Sequence, residues 1–268
     1  MRAERVRKPR LPGVWQLVAY LVAILIVAPM LWVLLSAFKP SAEVFDPGLP
    51  STLTLDNLLY VLTEIPLPLF LLNSAIVAVS VTVIALFTHS MAAYALARLR
   101  FPGRGLIFTA IISTLLVSLP VILVPLFLVV KQLGLLDSYA GLIVPAIFNA
   151  FGIFLLRQFY LNIPDELEEA AELDGCGYWG RYWNVILPLS RPVLASLGVL
   201  FFLANWNSFL WPLTITQSPD LRVIQLGIAG MQGQYSSAWN YILAASVVAA
   251  IPTVVVFMAG QRRLVDAM

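Results

Sequence analysis

Histidine and cysteine, the side chains that most often bind metals or act as base and nucleophile, occur once each, as His89 and Cys176. A metal site or a nucleophile–base pair needs several such groups together, so neither is expected, and no internal disulfide can form. A phosphate-cradling loop needs Gly-Lys-Ser/Thr. Lys8, Lys39 and Lys131 follow Arg7, Phe38 and Val130, so the chain has no ATPase site of that type. What remains is polar chemistry without a reaction. Asn205, Trp206, Asn207 and Ser208 stand together in one apolar stretch, and Asn149 lies within another. Amides bond hydroxyl groups and an aromatic face covers C–H surface, which is what a sugar-like solute needs. The same amides also join helices to one another, and spacing alone leaves both readings open. His89 reads as a structural hydrogen-bonder rather than a proton relay, because no acid stands in any apolar stretch to partner it.

The elements that must position these residues follow from where charge is missing. Of 268 residues, 60% are hydrophobic and 11% charged, against about 25% charged in a soluble domain. Six stretches lack Asp, Glu, Lys and Arg: Leu11–Phe38, Ile65–Ala97, Gly105–Val130, Ser138–Leu156, Pro192–Pro219 and Val223–Gln261. About 20 apolar residues cross the hydrocarbon core as a helix, since lipid offers no partner to an open backbone group. The expected fold class is therefore an all-α membrane protein with six transmembrane helices. They are placed near Val14–Ser36, Leu72–Leu96, Leu106–Val129, Tyr139–Phe159, Val193–Trp211 and Ala238–Gln261, with a polar lead-in at Gly227–Ser237 outside the lipid. With the N-terminus in the cytoplasm, 13 of the 16 basic residues fall inside and Lys39, Lys131 and Arg222 outside. The positive-inside rule thus puts both termini in the cytoplasm. The first apolar run is too long for the core of a signal peptide, so it reads as an uncleaved span. Residues 1–13 form a basic cytoplasmic N-terminus and 14–268 the transmembrane domain. The outer segment Lys39–Leu69, rich in proline and of net charge −3, is either a solvated connection or a partner-binding surface.

The longest inner connection, Arg157–Arg191, departs from the arginine pattern with a net charge of −3. Pro164 followed by Asp165, Glu166, Glu168 and Glu169 predicts a helix start, with proline in the first turn and acids facing the positive end of the dipole. Leu167, Ala170, Ala171 and Asp174 share a face, and Gly175 supplies a left-handed stop. A second short amphipathic segment, from Tyr178 through Ile186, leads to Pro188. Periodicity alone allows either an interfacial helix or a docking element.

Glu169-Ala170-Ala171, three residues, Gly175, then Val185 and Leu187-Pro188 resemble the signature of permease subunits in binding-protein-dependent ABC importers. Val185 stands where isoleucine is usual. Ser36-Ala37-Phe38-Lys39-Pro40, Ala92 to Arg98, Phe101-Pro102-Gly103, Asn205-Trp206-Asn207 with Phe209 to Pro212, and Gln261-Arg262-Arg263 resemble the carbohydrate-uptake class that includes maltose and glycerol-phosphate permeases. The resemblance implies a coupling loop at 160–190, whose short helix seats in a cleft of the ATPase through Glu169, Ala170, Ala171, Gly175 and Pro188, with Asp174 on the same helix. It also implies the partners: a second permease subunit forming a heterodimer, two ATPase subunits that bind ATP and Mg, an extracytoplasmic solute-binding protein, and the lipid bilayer of the cell membrane. The chain itself is expected to bind no cofactor, no metal and no nucleic acid. A sugar or sugar-like solute is the leading reading and a polyol or glycerol phosphate the alternative. An ion-coupled secondary transporter would place ionisable residues in its spans, and these spans have almost none.

Overall fold

Long apolar runs ended by arginine or by turn residues leave the backbone little choice but helix. The computed structural model describes residues 13–234 and 238–266 and contains only helices and connections there. The basic stretch before Gly13 and the end of the polar lead-in lie outside the described residues. The helices are α1 Gly13–Ser36, α2 Asp56–Thr63, α3 Leu67–Arg98, α4 Arg104–Ser113, α5 Leu119–Gln132, α6 Tyr139–Ile147 and α7 Ala150–Leu161. They continue with α8 Asp165–Leu173, α9 Tyr178–Arg181, α10 Leu187–Leu189, α11 Arg191–Trp206, α12 Leu210–Ile215, α13 Ile224–Gln234 and α14 Trp239–Asp266. A π-turn at Tyr182–Ile186 joins α9 to α10.

Three helices are continuous and long enough to span: α1, α3 and the Trp239–Gln261 part of α14. The other expected spans are broken. α4, followed by a 3-10 turn, meets α5 at 108°, and α6 meets α7 at 42°. The predicted third span, Leu106–Val129, is therefore corrected to two helices. Proline explains the break: Pro120 has no N–H and its ring blocks the preceding carbonyl, so Val117 and Ser118 are extended and a new helix begins. Pro145 likewise frees the Gly141 carbonyl, and the Trp211 indole N–H donates to it at 3.1 Å. The predicted fifth span ends at Trp206, and α12 begins only at Leu210. Residues 227–234 of the polar lead-in belong to the helix Ile224–Gln234.

Two compact units emerge. The first holds 13–65 and 234–248. Its outer segment is a folded cap: Lys39 is 1% exposed and its ammonium donates to the Asp46 and Gly48 carbonyls at 2.6 and 2.7 Å. Asn57 bonds the carbonyls of Ala37 and Lys39, and Asn240 donates to Asn57 at 2.7 Å. The second unit, 66–233 and 249–268, is organised on α3. One half of that helix packs Ala85, Ala93 and Tyr94 against Leu156 and Tyr160 of α7, Tyr182 and Ile186, and Leu197 and Phe201 of α11. The other half places Val77 and Val81 with Leu142, Trp211, Ile215 and Leu226. At Gly152 a Cβ would lie 2.6 Å from Phe201 Cζ and 2.7 Å from His89 Nδ1, so only glycine lets α7 pass this close.

Candidate functional site

The acidic loop begins at the end of α7 and is built around α8. Pro164 (φ −57°, ψ 134°) is extended and stands at the N-cap, one position earlier than the first-turn proline expected. Asp165, Glu166 and Glu168 occupy the first turn, where the helix dipole favours them. At the other end Gly175 has φ +85°, donates to the Glu172 carbonyl at 2.9 Å, and is followed by Cys176 donating to the Ala171 carbonyl at 2.9 Å. This paired 5→2 and 6→1 bonding is a Schellman stop. A Cβ at Gly175 would meet nothing within 4 Å, so its constraint is the left-handed backbone and not space.

α8 is held at Glu168 and, near its end, by an ion pair of Glu172 with Arg181 at 2.8 Å. Glu168 is its only buried residue. Arg98, the last residue of α3, ion-pairs with Asp165 and places Nε 3.0 Å from Glu168 Oε1, a charge contact rather than an aligned hydrogen bond. Its other terminal nitrogen donates to the carbonyls of Tyr160, at 2.6 Å, and Ile163, closing the end of α7. The Tyr94 hydroxyl donates to Glu168 at 3.2 Å. Beyond α8, Tyr182 donates to Ser90 at 2.9 Å and Ser90 bonds Tyr160 at 2.6 Å, fixing the π-turn to α3 and α7. Of the residues picked out in the sequence, Glu169, Ala170, Asp174 and Gly175 are exposed, while Ala171 and Pro188 are half-buried. Leu167 is also exposed, and Leu173 is 89% exposed. Sequence reasoning missed Arg98, Tyr94 and the anchoring role of Glu168. The signal was there: Asp165 and Glu168 are three apart, hence on one helix face, and Arg98 ends a span.

The amide residues divide. Asn149 caps α7 at the bend with α6, its side-chain oxygen accepting from the Phe151 backbone N–H at 2.9 Å, and its backbone N–H donates to His89 Nε2 at 3.3 Å. Trp206 is buried, stacked on Phe202, with its indole N–H on the Ala249 carbonyl at 3.1 Å. That side chain packs helices together and is set apart from its neighbours. Asn205 donates back to the Phe201 carbonyl at 2.8 Å. Asn207 is exposed at the end of α11, donating to the Leu203 carbonyl at 2.8 Å and accepting from Gln225 at 3.1 Å. Ser208 follows in the break before α12. Asn207 and Ser208 thus stand at an unwound turn, with Asn205 in the last turn of α11, and Asn149 stands at a second break. Among the described residues no group of His, Cys, Asp and Glu could hold a metal.

Residues 89–268 match the family described as binding-protein-dependent transport system inner membrane component. The arabinooligosaccharides transport system permease protein of Halalkalibacterium halodurans is 36% identical over 247 residues, covering 90% of this chain and 88% of that protein. The sn-glycerol-3-phosphate transport system permease protein of Yersinia pestis is 40% identical over 199 residues, covering 74% and 71%. The fold is similar to a chain in the crystal structure of a bacterial ABC transporter involved in the import of the acidic polysaccharide alginate. The TM-score is 0.85 at 23% identity, with 95% of this chain and 99% of that chain covered. The family match takes in His89, the broken pairs α4–α5 and α6–α7, and the whole acidic loop. The chain belongs to the inner membrane components of binding-protein-dependent transport systems, the permease subunits of ABC importers.

Proposed function

We propose that this permease forms half of the passage for a sugar or sugar-like solute and docks an ATPase subunit through α8. The observation that carries this is a helix with one buried residue, Glu168, and an exposed ion pair from Glu172 to Arg181, while Leu167, Glu169, Ala170 and Leu173 face outward. A helix fixed at its base and exposed on its outward side is shaped to enter a groove. Its partners in this reading are a second permease subunit, two ATPase subunits that bind ATP and Mg, and an extracytoplasmic solute-binding protein; hydrolysis belongs to the ATPases. Asn205, Asn207 and Ser208 face the solute at the unwound turn.

The test is co-purification of the ATPase and solute-stimulated hydrolysis in membranes containing the assembled importer. Gly175→Val places a β-branched residue in a left-handed turn, at a cost on the order of 1–2 kcal/mol. Ala171→Trp adds bulk to a half-buried position on the docking helix. Both variants are expected to insert normally yet lose the ATPase or uncouple hydrolysis from uptake. Normal coupling in both would reduce α8 to an interfacial helix.

A second reading has support of its own, since one relative with 40% identity is a glycerol-phosphate permease. Against it, a phosphate ester calls for a cationic partner, and the charge-free stretches supply none. Competition between neutral oligosaccharides and glycerol 3-phosphate for uptake separates the two.

A further inference from the structure

We propose that Arg98 is a positioning residue that locks α8 to α3, so that the docking helix and the longest continuous span move as one body. The inference rests on the docking role proposed above. The Arg98 and Glu168 side chains are each 10% exposed, and the guanidinium touches four acceptors: Asp165, Glu168 and the Tyr160 and Ile163 carbonyls. A planar fork can serve the end of α7 and the start of α8 at once, which a point charge cannot. Besides this lock, α8 is held by the Tyr94 hydroxyl on Glu168 and, near its C-terminal end, by an ion pair of the solvent-facing Glu172 with Arg181 at 2.8 Å, and Glu168 is its one buried residue.

The lock has something to act on. α3 runs unbroken for 32 residues, about 48 Å at 1.5 Å per residue. Near its far end Asn73 donates to the Asp220 and Arg222 carbonyls at 2.7 and 2.9 Å, and Ser74 accepts from the Ile224 amide at 2.7 Å. A displacement imposed on α8 therefore reaches 220–224 through one rod, without passing through any of the broken helices.

The experiment uses the assembled importer in membranes, with Cys176→Ser and spin labels at Leu173→Cys on α8 and Arg100→Cys just beyond α3. Both label positions are exposed. The distance is expected to be narrow and the same in the nucleotide-free and Mg-ATP states. Glu168→Gln should broaden it at least about twofold, because the buried anchor is lost and the exposed pairs at Asp165 and Glu172 hold the helix only weakly. Arg98→Lys should broaden it less. Glu168→Gln leaves a buried guanidinium short of one partner and could fail to insert. The paired Arg98→Gln/Glu168→Gln variant leaves no uncompensated charge between these two residues and should broaden as well. An unbroadened distance in the paired variant, or a wild-type distance that shifts with Mg-ATP, overturns the proposal. The label distance reports the lock whether or not the ATPase seats on α8, whereas Ala171→Trp reports docking alone, so the two readings fail separately.

Discussion

Asp137 lies in the turn between α5 and α6 with φ +52°, a conformation that aspartate tolerates better than most side chains. One carboxylate oxygen, Oδ1, accepts both the Gln217 and the Ser218 amide at 2.9 Å, while Oδ2 takes the Ser218 hydroxyl. The Ser218 hydroxyl first, then the Ser218 and Gln217 amides, hold the carboxyl below its ordinary value of 3.8. The sign follows from linkage: folding favours the ionised form, so its contribution is fully present above the ordinary value and disappears as pH falls through the lower folded value. Amide exchange at Gln217 and Ser218 should lose protection over that acid window. Asp137→Asn keeps an oxygen at the same place and tolerates the same backbone, so both amides should stay protected while the acid response disappears. A persistent acid response in the variant would assign the titration to another group. Glu168 shows a related economy at the opposite sort of site, since one carboxylate there meets Arg98, Tyr94 and the needs of a helix start.

Among the elements, continuous spans and broken ones carry different tasks. α11 stops at Trp206 and α12 starts at Leu210, where Pro212 cannot donate to the Ser208 carbonyl. Unpaired backbone within a membrane survives only inside protein or beside a wet cavity, so this polar turn is where the proposed contact with solute would lie. Asn207→Ala is accordingly expected to lower uptake of labelled oligosaccharides while ATPase attachment stays normal. Loss of attachment would instead make Asn207 a packing residue. How much of this was legible in sequence depends on what sets each boundary. α14 begins within one residue of its expected start, because a change from polar to apolar residues dictates where it begins. α3 starts five residues before the predicted Leu72, since Pro66 opens it earlier. Pro120 and Pro145 mark bends in the sequence, but hydropathy is the same on both sides of a proline and does not show that the helices stop at Val117–Ser118 and Phe148–Asn149. The cap around Lys39 was hidden for another reason: a buried lysine satisfied by two carbonyls leaves no pattern along the chain. In the loop, helix start and glycine stop were legible from local chemistry, whereas the Arg98 partnership joins residues 70 apart, as 168 − 98 gives.

At the scale of the whole molecule, the surface shows what is missing around it. No residue of the most apolar window of α1 is buried, and its leucines and valines face outward. A contiguous apolar surface of that length needs lipid or another chain over it. The distribution of charge predicts which way the chain lies in that lipid. Thirteen basic residues fall on the side of Arg10, Gly103 and Gly175 and three on the side of Asp46, Leu136 and Asp220. Of those three, Lys39 is buried and bonded to carbonyls, which leaves fewer free cations to oppose the orientation. Reporter fusions after Arg10, Gly103, Gly175 and Gln261 should therefore read cytoplasmic, and fusions after Asp46, Leu136 and Asp220 external. The positions bracket each broken pair, so the same set also decides whether α4 with α5 and α6 with α7 each cross once. A shared side for Gly103 and Leu136 would make α4 and α5 a re-entrant pair that returns to its own face. An external signal at Gly175 has wider reach: it would put α8 on the wrong side of the membrane for any ATPase, and the docking proposal would fall with it.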